Sequence, residues 1–145
     1  TVFGTMTDVN GLAASFDNSF TTTSRTGYST SGSIGKNWGV DKTISQVVLY
    51  GDSTVNWCLE WDATTSCDTT ILLQGSSDGT TWVDLGSQFG PKKPGPSVVT
   101  ISEVILEPFK MHRIYIYSSS PQASLIYSTE IYFYDLNAYI VEEIR

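Results

Sequence analysis

The sequence predicts an all-β domain, and three observations support this prediction. Hydrophobic residues make up 40% of the 145 residues and charged residues only 16%, while 37 are serine or threonine, a composition that suits strands and polar loops better than helices. Short apolar runs recur between turn signals along most of the chain. The stretch from 69 to 86 has a hairpin pattern, with strand formers on both sides of Ser77-Asp78-Gly79.

The length predicts one domain covering residues 1–145, because a chain of this size buries about two-thirds of its extended surface in one core. Residues 1–11 are polar and are expected to form an N-terminal arm, and residues 137–145 a C-terminal tail. The run Leu12–Phe16 is short but is flanked by Gly11 and Asp17, which favours one turn of helix. Residues 21–33 lack any apolar period and are predicted to be a long surface loop.

Strands are predicted wherever apolar runs lie between turn signals. We expect eight, with a ninth near 138–142; the eight lie at about 33–38, 43–50, 55–60, 69–75, 80–86, 97–105, 111–118 and 127–135. Regular spacing of short strands favours a sandwich or barrel over helical layers. Trp38 and Trp82 are expected in the core, with Trp82 covering one end of the hairpin.

Side-chain alternation in two of these strands leads to a surface prediction. If Ile114, Ile116, Ile131 and Phe133 face the core, the residues between them face the other way. Should the two strands be neighbours, the outward residues form a four-tyrosine patch consisting of Tyr115, Tyr117, Tyr132 and Tyr134. This patch is either covered by loops and termini or serves as an interface with a partner.

Charge and cysteine content restrict the partners and the compartment. The net charge of -7 disfavours nucleic acid and anionic membrane surfaces as partners, and no apolar run is long enough to insert into a bilayer. Cys58 and Cys67 either form a disulfide, which favours an oxidising compartment, or remain two buried thiols.

Catalytic chemistry is not expected. Gly75-Ser76-Ser77-Asp78-Gly79 fits the Gly-x-Ser-x-Gly pattern of hydrolases, but strand residues follow it where a nucleophile elbow requires a helix. The one histidine, His112, lies within a predicted strand and is expected to be structural. Together with two cysteines it makes a poor zinc ligand set.

Sugar binding needs aromatic faces for the apolar side of a pyranose ring and planar polar groups for its hydroxyls. Two predicted loop segments contain both. The candidate ligand-binding residues are Arg25, Tyr28, Trp57, Glu60, Trp61 and Asp62. Trp57 and Trp61 share parity if they lie in a strand, so the pair either fills the core or forms a stacking platform.

Several segments in order along the chain resemble the discoidin family, also called the coagulation factor V/VIII type C domain family. The segments similar to family motifs are Ala13-Ala14-Ser15-Phe16-Asp17-Asn18, residues 34–39 and 42–51, Leu73–Trp82 with its Ser-x-Asp-Gly-x-x-Trp hairpin, Arg113-Ile114-Tyr115-Ile116, and Ser128–Tyr134. The resemblance spans about residues 12–136. Asn18 stands where the family has glycine, and the family's tryptophan a few residues later is replaced by the run Thr21–Ser24.

The resemblance implies an eight-stranded antiparallel jelly-roll β-sandwich of the galactose-binding-like type, which is not an enzyme and binds ligands through loops at one end. Many members of the family also hold a calcium ion, so the resemblance implies either a structural calcium site here or, as the alternative, an Asp17 that caps a turn and a solvated Glu130. Matching the family motif onto this chain gives Asp17, Thr22 and Glu130 as ligands, which supply the hard oxygen atoms that calcium prefers.

Two functional hypotheses follow. The first is a non-catalytic, lectin-like carbohydrate-binding module whose partner is a glycan or a glycosylated surface. The alternative is a structural or adhesion subunit of a larger assembly, such as a capsid-decoration or tail protein of a virion, which contacts other subunits through the tyrosine patch. Either hypothesis predicts a soluble protein located outside the cell or on the surface of a particle.

Overall fold

In the computed structural model, burial alternates along several strands, so that each of these strands turns one face toward the core. The structure describes residues 1–27, 29–52, 57–60, 67–91, 97–118 and 124–141, with the backbone alone for 59, 60, 124 and 125. These residues contain β1 (Val2–Gly4), β2 (Asp8–Val9), a 3-10 helix (Leu12–Phe16), β3 (Ser24–Arg25), β4 (Ser31–Thr43), β5 (Gln46–Tyr50), β6 (Cys58–Glu60), β7 (Thr69–Ser76), β8 (Val83–Gly90), β9 (Val98–Ile101), β10 (Pro108–Ser118), β11 (Ser124–Ser128) and β12 (Glu130–Tyr134). The predicted helical turn at Leu12 is confirmed.

The strands form three antiparallel sheets. The largest has the order β1-β4-β10-β7-β8, a second has the order β12-β5-β9, and a short-stranded third has the order β2-β3-β11-β6. Buried side chains from all three sheets meet in one core, where the Trp38 and Phe133 rings lie 5.6 Å apart in an edge-to-face contact between the first two sheets. The predicted all-β sandwich is therefore confirmed.

The predicted hairpin is present as β7 and β8. Asp78 closes its turn by accepting hydrogen bonds from the backbone N–H groups of Thr80 and Thr81, both at 2.8 Å. Gly79 has φ +78°, a conformation that side chains with a β-carbon disfavour. The second strand begins at Val83, three residues later than predicted.

Trp82 does not join the core, contrary to the prediction. It is partly exposed on the outer face of the five-stranded sheet, where the Arg113 guanidinium lies 4.1 Å from the centre of its ring. The Phe3 ring lies 5.8 Å away on the same face. Because Arg113 alternates with the buried Ile114, a ring that packs on it must lie outside the sandwich. Trp38, by contrast, is buried as predicted.

Several strands begin or end at other residues than predicted. The side-chain pattern of a strand does not show which strand pairs with it, and pairing decides where it ends. The predicted strand 127–135 is divided between β11 and β12, which belong to different sheets. The chain turns between them at Thr129, whose hydroxyl donates to the carbonyls of Tyr50 and Gly51. The strand predicted at 97–105 ends at Ile101. The predicted ninth strand amounts to one bridge between Tyr134 and Ile140. Residues 2–4 of the predicted arm pair with β4 as an edge strand.

His112 is structural, as predicted. It is fully buried on β10, and its Nδ1 accepts a hydrogen bond of 2.9 Å from the indole N–H of Trp38. Burial lowers the pKa of His112 to about 4, because the apolar surroundings penalise the charged imidazolium. The ring is therefore neutral at pH 7, with its proton on Nε2.

Hydroxyl contacts and one disulfide hold the short-stranded sheet. The Ser15 hydroxyl lies 2.8 Å from that of Ser24 and 2.6 Å from that of Ser128, and all three side chains are buried. Cys58 and Cys67 form a disulfide, which decides between the two alternatives open at the level of sequence. Among the described residues, no helix is long and apolar enough to span a membrane.

Candidate functional site

The short-stranded sheet brings together two segments that the sequence singled out separately. Strand β11 lies between β3 and β6, so that Tyr127 is opposite Arg25 on one side and Ser124 is opposite Glu60 on the other. The predicted polar loop and the predicted aromatic insert therefore flank the same strand. No local pattern in the sequence indicated this pairing, because β3 is separated from β11 by about a hundred residues.

Arg25 lies at the centre of a small polar and aromatic surface. Its guanidinium is 3.8 Å from the carboxylate of Asp8 and 5.9 Å from the centre of the Tyr127 ring. The Arg25 Nε atom is buried and has no hydrogen-bond partner within the described part of the chain. The surface formed by Arg25, Asp8 and Tyr127 thus combines the planar donors of a guanidinium, an acceptor carboxylate and an aromatic face. Asp8 and Tyr127 were not predicted, since neither lies in a recognisable motif.

Trp57 is not available as a stacking platform. Its side chain is completely buried, and its carbonyl accepts the backbone N–H of Tyr127 at 2.8 Å. The ring packs beside Gly90, where an added β-carbon would come within 2.9 Å of it. Of the two alternatives for this residue, core filling is therefore correct. Tyr28, Trp61 and Asp62 lie outside the described residues, and Glu60 is described by its backbone.

The three predicted calcium ligands do come together. The N–H of Ser19 donates to Asp17 Oδ1 at 2.9 Å and to Glu130 Oε1 at 3.0 Å, and the hydroxyl of Thr22 donates to Asp17 Oδ2. Asn18 takes the left-handed conformation, with φ +60°, where the family has glycine. This backbone conformation lets the chain fold Asp17 and Thr22 back onto the start of β12.

The environment of this acidic cluster of Asp17, Thr22 and Glu130 shifts the pKa values of its two carboxyl groups in opposite directions. Glu130 is fully buried and its Oε2 atom has no partner among the described residues. Burial, with a further contribution from the neighbouring Asp17, raises the pKa of Glu130 to about 7. Burial also acts to raise the pKa of Asp17, but hydrogen bonds from Thr22, Glu130 and Ser19 outweigh it and hold that pKa below 3.8.

The acidic cluster is rich in oxygen but contains only two carboxylates. No group of three or more His, Cys, Asp or Glu side chains converges within the described ranges. The donor set of two carboxylates and one hydroxyl suits a hard cation such as calcium rather than zinc.

The predicted four-tyrosine patch does not exist. Tyr115 and Tyr117 belong to β10 in the five-stranded sheet, whereas Tyr132 and Tyr134 belong to β12 in the three-stranded sheet. Because Ile114, Ile116, Ile131 and Phe133 all face the shared core as predicted, the two tyrosine pairs lie on opposite outer surfaces of the sandwich. Each pair has its own ring contacts: Tyr115 with Tyr117 at 6.1 Å, and Tyr132 with Tyr50 at 6.0 Å.

The hydrolase-like pattern has no catalytic geometry. Ser77 lies in the exposed turn between β7 and β8, not between a strand and a helix. The imidazole of His112 is buried, and its Nδ1 is occupied by Trp38. A general base must reach the nucleophile that it activates, and this histidine is held in the core.

Comparison with known proteins identifies the fold through structure alone. No protein-family model matches the sequence, and no curated protein matches it. Among solved structures, the sugar-binding module CpGH89CBM32-5 of Clostridium perfringens, in complex with GalNAc-β-1,3-galactose, has a TM-score of 0.66 at 11% identity, with 90% of this chain and 91% of that chain covered.

Two further structures show the same similarity. The family 32 carbohydrate-binding module of NanJ from C. perfringens, in complex with galactose, has a TM-score of 0.64 at 12% identity, with coverage of 92% and 91%. The family 32 module of AlyQ, in complex with 4,5-unsaturated mannuronic acid, has a TM-score of 0.63 at 15% identity, with coverage of 92% and 93%. The chain therefore has the galactose-binding-like, discoidin-type β-sandwich fold that these modules share.

Proposed function

We propose that the protein is a non-catalytic carbohydrate-binding module whose binding surface is centred on Arg25. One observation carries the proposal: β11 brings the Arg25 segment and the Glu60 segment to its two sides, with the Tyr127 ring beside the guanidinium. The three solved modules with the same fold bind sugars, which supports the ligand class. Tyr28, Glu60, Trp61 and Asp62 remain proposed members of this surface.

The chemistry of the Arg25 surface suits a sugar. The guanidinium offers a planar row of donors to adjacent hydroxyls, the Asp8 carboxylate accepts from a hydroxyl, and the Tyr127 ring covers C–H groups. Asp8 also neutralises the charge of Arg25, so the surface does not require an anionic ligand.

Binding to immobilised glycans tests the proposal. Arg25→Ala and Tyr127→Ala are each expected to weaken binding at least about tenfold, which corresponds to 1.4 kcal/mol. Lys110→Ala is the matched control, because Lys110 is an exposed basic residue on β10, in a different sheet. If the native protein binds no glycan, or if the three variants bind equally well, the proposal is wrong.

We further propose that the acidic cluster binds calcium. The buried, unpartnered Oε2 of Glu130 is an orphaned acceptor of the kind that a bound cation satisfies. Asp17 and Glu130 would hold the ion with the Thr22 oxygen, and its charge would relieve the repulsion between the two carboxylates.

Thermal unfolding with and without calcium tests this second proposal. Calcium at about a hundred times its dissociation constant stabilises a site by about 2.7 kcal/mol, so the melting temperature of the native protein should rise and EDTA should reverse the rise. Glu130→Gln should abolish the response, whereas Glu107→Gln, an exposed control, should retain it. A native protein that does not respond to calcium contradicts the proposal.

The disulfide between Cys58 and Cys67 supports an extracellular location, because reducing compartments rarely maintain such bonds. A glycosylated surface is then an accessible partner. The alternative, an assembly subunit such as a virion protein, has lost its main support because the four tyrosines do not form one patch.

A further inference from the structure

A hydroxyl-rich groove lies on the outer face of the five-stranded sheet, in a different sheet from Arg25. Its volume is about 360 Å³, within the range of ligand pockets. Strand β4 contributes Ser31 and Ser33, β10 contributes Arg113 and Tyr115, and Thr5 follows β1 at the rim. Thr26 and Gly27, which directly follow Arg25, also line the groove. The groove therefore borders the Arg25 surface but does not use the side chains of Arg25, Asp8 or Tyr127.

Arg113 is held in place before any ligand arrives. Its Nε–H donates to the side-chain oxygen of Gln74 at 2.8 Å, and the Gln74 amide donates in turn to Asp84 at 2.7 Å. Its guanidinium is 4.1 Å from the centre of the Trp82 ring and 5.2 Å from that of Tyr115. The bond to Gln74 is its one hydrogen bond to described residues, so its terminal NH₂ groups have donors to spare.

Two hydroxyl groups in the groove are also held in place by hydrogen bonds within the protein. The Thr5 hydroxyl oxygen accepts the N–H of Ser33 at 3.0 Å, and the Ser29 hydroxyl oxygen accepts the N–H of Ser31 at 3.3 Å. Each oxygen is thereby fixed while its own proton remains available as a donor. Support of this kind gives a site the rigidity that binding requires.

We propose that this groove is a second saccharide-binding site, which takes a neutral sugar through the Arg113 guanidinium, the Tyr115 ring and the serine and threonine hydroxyls. A neutral ligand is favoured over an acidic one because the chain carries a net charge of -7. The carboxylates of Asp84 and Asp8 also lie near the groove, one bonded to Gln74 and the other paired with Arg25.

The inference relies on the proposed function for its ligand class, but the side chains that would bind the sugar are not Arg25, Asp8 or Tyr127. Two adjoining sites would let one module contact two sugar units of a polysaccharide, and binding would then be stronger through effective concentration.

Titration of the isotope-labelled protein with sugars, followed by amide NMR shifts, tests the inference residue by residue. The probes are galactose, N-acetylgalactosamine, N-acetylglucosamine, mannose and glucose, with glucuronate as the charged comparison. We expect a neutral sugar to shift the amides of Ser31, Ser33 and Tyr115. Shifts confined to Arg25 and Tyr127 overturn this inference but leave the proposed function intact.

Other outcomes are equally decisive. Amide shifts in the groove alone support the second site and contradict the proposal that the first site is centred on Arg25. A response to glucuronate alone, lost at high salt, overturns the assignment of a neutral ligand. No response to any probe contradicts both sites.

Two variants separate binding from folding. Ser31→Trp fills the groove and is expected to weaken binding there at least about tenfold. Ser87→Trp lies on the same face of the sheet, three strands away on β8, and should change binding less than about twofold. Tyr115→Ala removes the ring without filling the groove and should also weaken binding. Unchanged groove binding in both Ser31→Trp and Tyr115→Ala overturns the inference.

Discussion

The five-stranded sheet and the short-stranded sheet of this sandwich are stabilised by different interactions. The first has strands of up to 13 residues that bury Ile34, Ile71 and Ile114 completely. The second has strands of two to five residues and is held by buried serine hydroxyls and a disulfide. Apolar burial supplies most of the free energy of folding, whereas short strands offer few ladder hydrogen bonds. The comparison indicates that the first sheet maintains the fold and that the second is free to carry recognition residues.

The largest expected effect comes from the core of the five-stranded sheet. Ile114→Ala removes a completely buried side chain between two other strands and should lower the free energy of unfolding by about 3 to 4 kcal/mol. Chemical denaturation measures it. The exposed Val98→Ala is the control and should cost less than about 1 kcal/mol. A similar loss in both variants would contradict the role assigned to this sheet.

His112 makes the same sheet sensitive to acid. Its pKa is about 4 when folded, below the 6.5 of a free imidazole, so its contribution to stability is complete above pH 6.5 and is lost as the pH falls toward 4. The difference between these two pKa values corresponds to about 3 kcal/mol. Protonation of Nδ1 would also break the hydrogen bond from Trp38.

The Glu130 carboxyl changes stability with pH in the opposite direction to the His112 imidazole. The effect of His112 is therefore measured in a variant that lacks this carboxyl. Its folded pKa of about 7 lies above the ordinary 4.5, so its contribution is complete below pH 4.5 and is lost as the pH rises through 7. We therefore expect a nearly flat stability profile for the native protein and a steep loss toward pH 4 in Glu130→Gln. Hydrogen bonds from Thr22, Glu130 and Ser19 lower the pKa of Asp17 against the opposing effect of burial. A flat profile in Glu130→Gln would contradict the prediction.

Loss of the disulfide tests the short-stranded sheet. Replacing Cys58 and Cys67 by alanine opens a loop whose ends are nine residues apart and should cost about 2 to 3 kcal/mol, mainly because the unfolded chain gains entropy. Thermal unfolding measures it. We expect the Arg25 surface to lose glycan binding more than the groove at Arg113, because β6 pairs directly with β11. Equal losses at both sites would contradict the separation of the two regions.

The smallest effect should come from the serine network. Ser15→Ala removes the hydroxyl that contacts both Ser24 and Ser128 and should cost about 1 to 2 kcal/mol, because two hydrogen bonds are lost and the remaining hydroxyls are buried. Ser102→Ala is an exposed control. Indistinguishable unfolding curves for these two variants would show that the network contributes nothing to stability.

The sequence by itself determined which side chains alternate and where the chain turns. The inward positions of Ile114, Ile116 and Phe133, the hairpin at Asp78 and the helical turn at Leu12 follow from local patterns with periods of two or a few residues. The order of motifs also predicted the fold that structural comparison confirmed. The convergence of Asp17, Thr22 and Glu130 was predicted because the motif resemblance related residues far apart in the chain.

Only the tertiary structure decided which strands become neighbours and how deep each aromatic ring lies. Alternation places Tyr115 and Tyr132 outward, but it does not report that β10 and β12 belong to opposing sheets. Trp57 is buried and Trp82 lies outside because of what packs against them, Gly90 in one case and Arg113 in the other. Strand pairing and burial depend on contacts between residues distant in sequence, and a local pattern of polarity is the same whichever partner lies beside it.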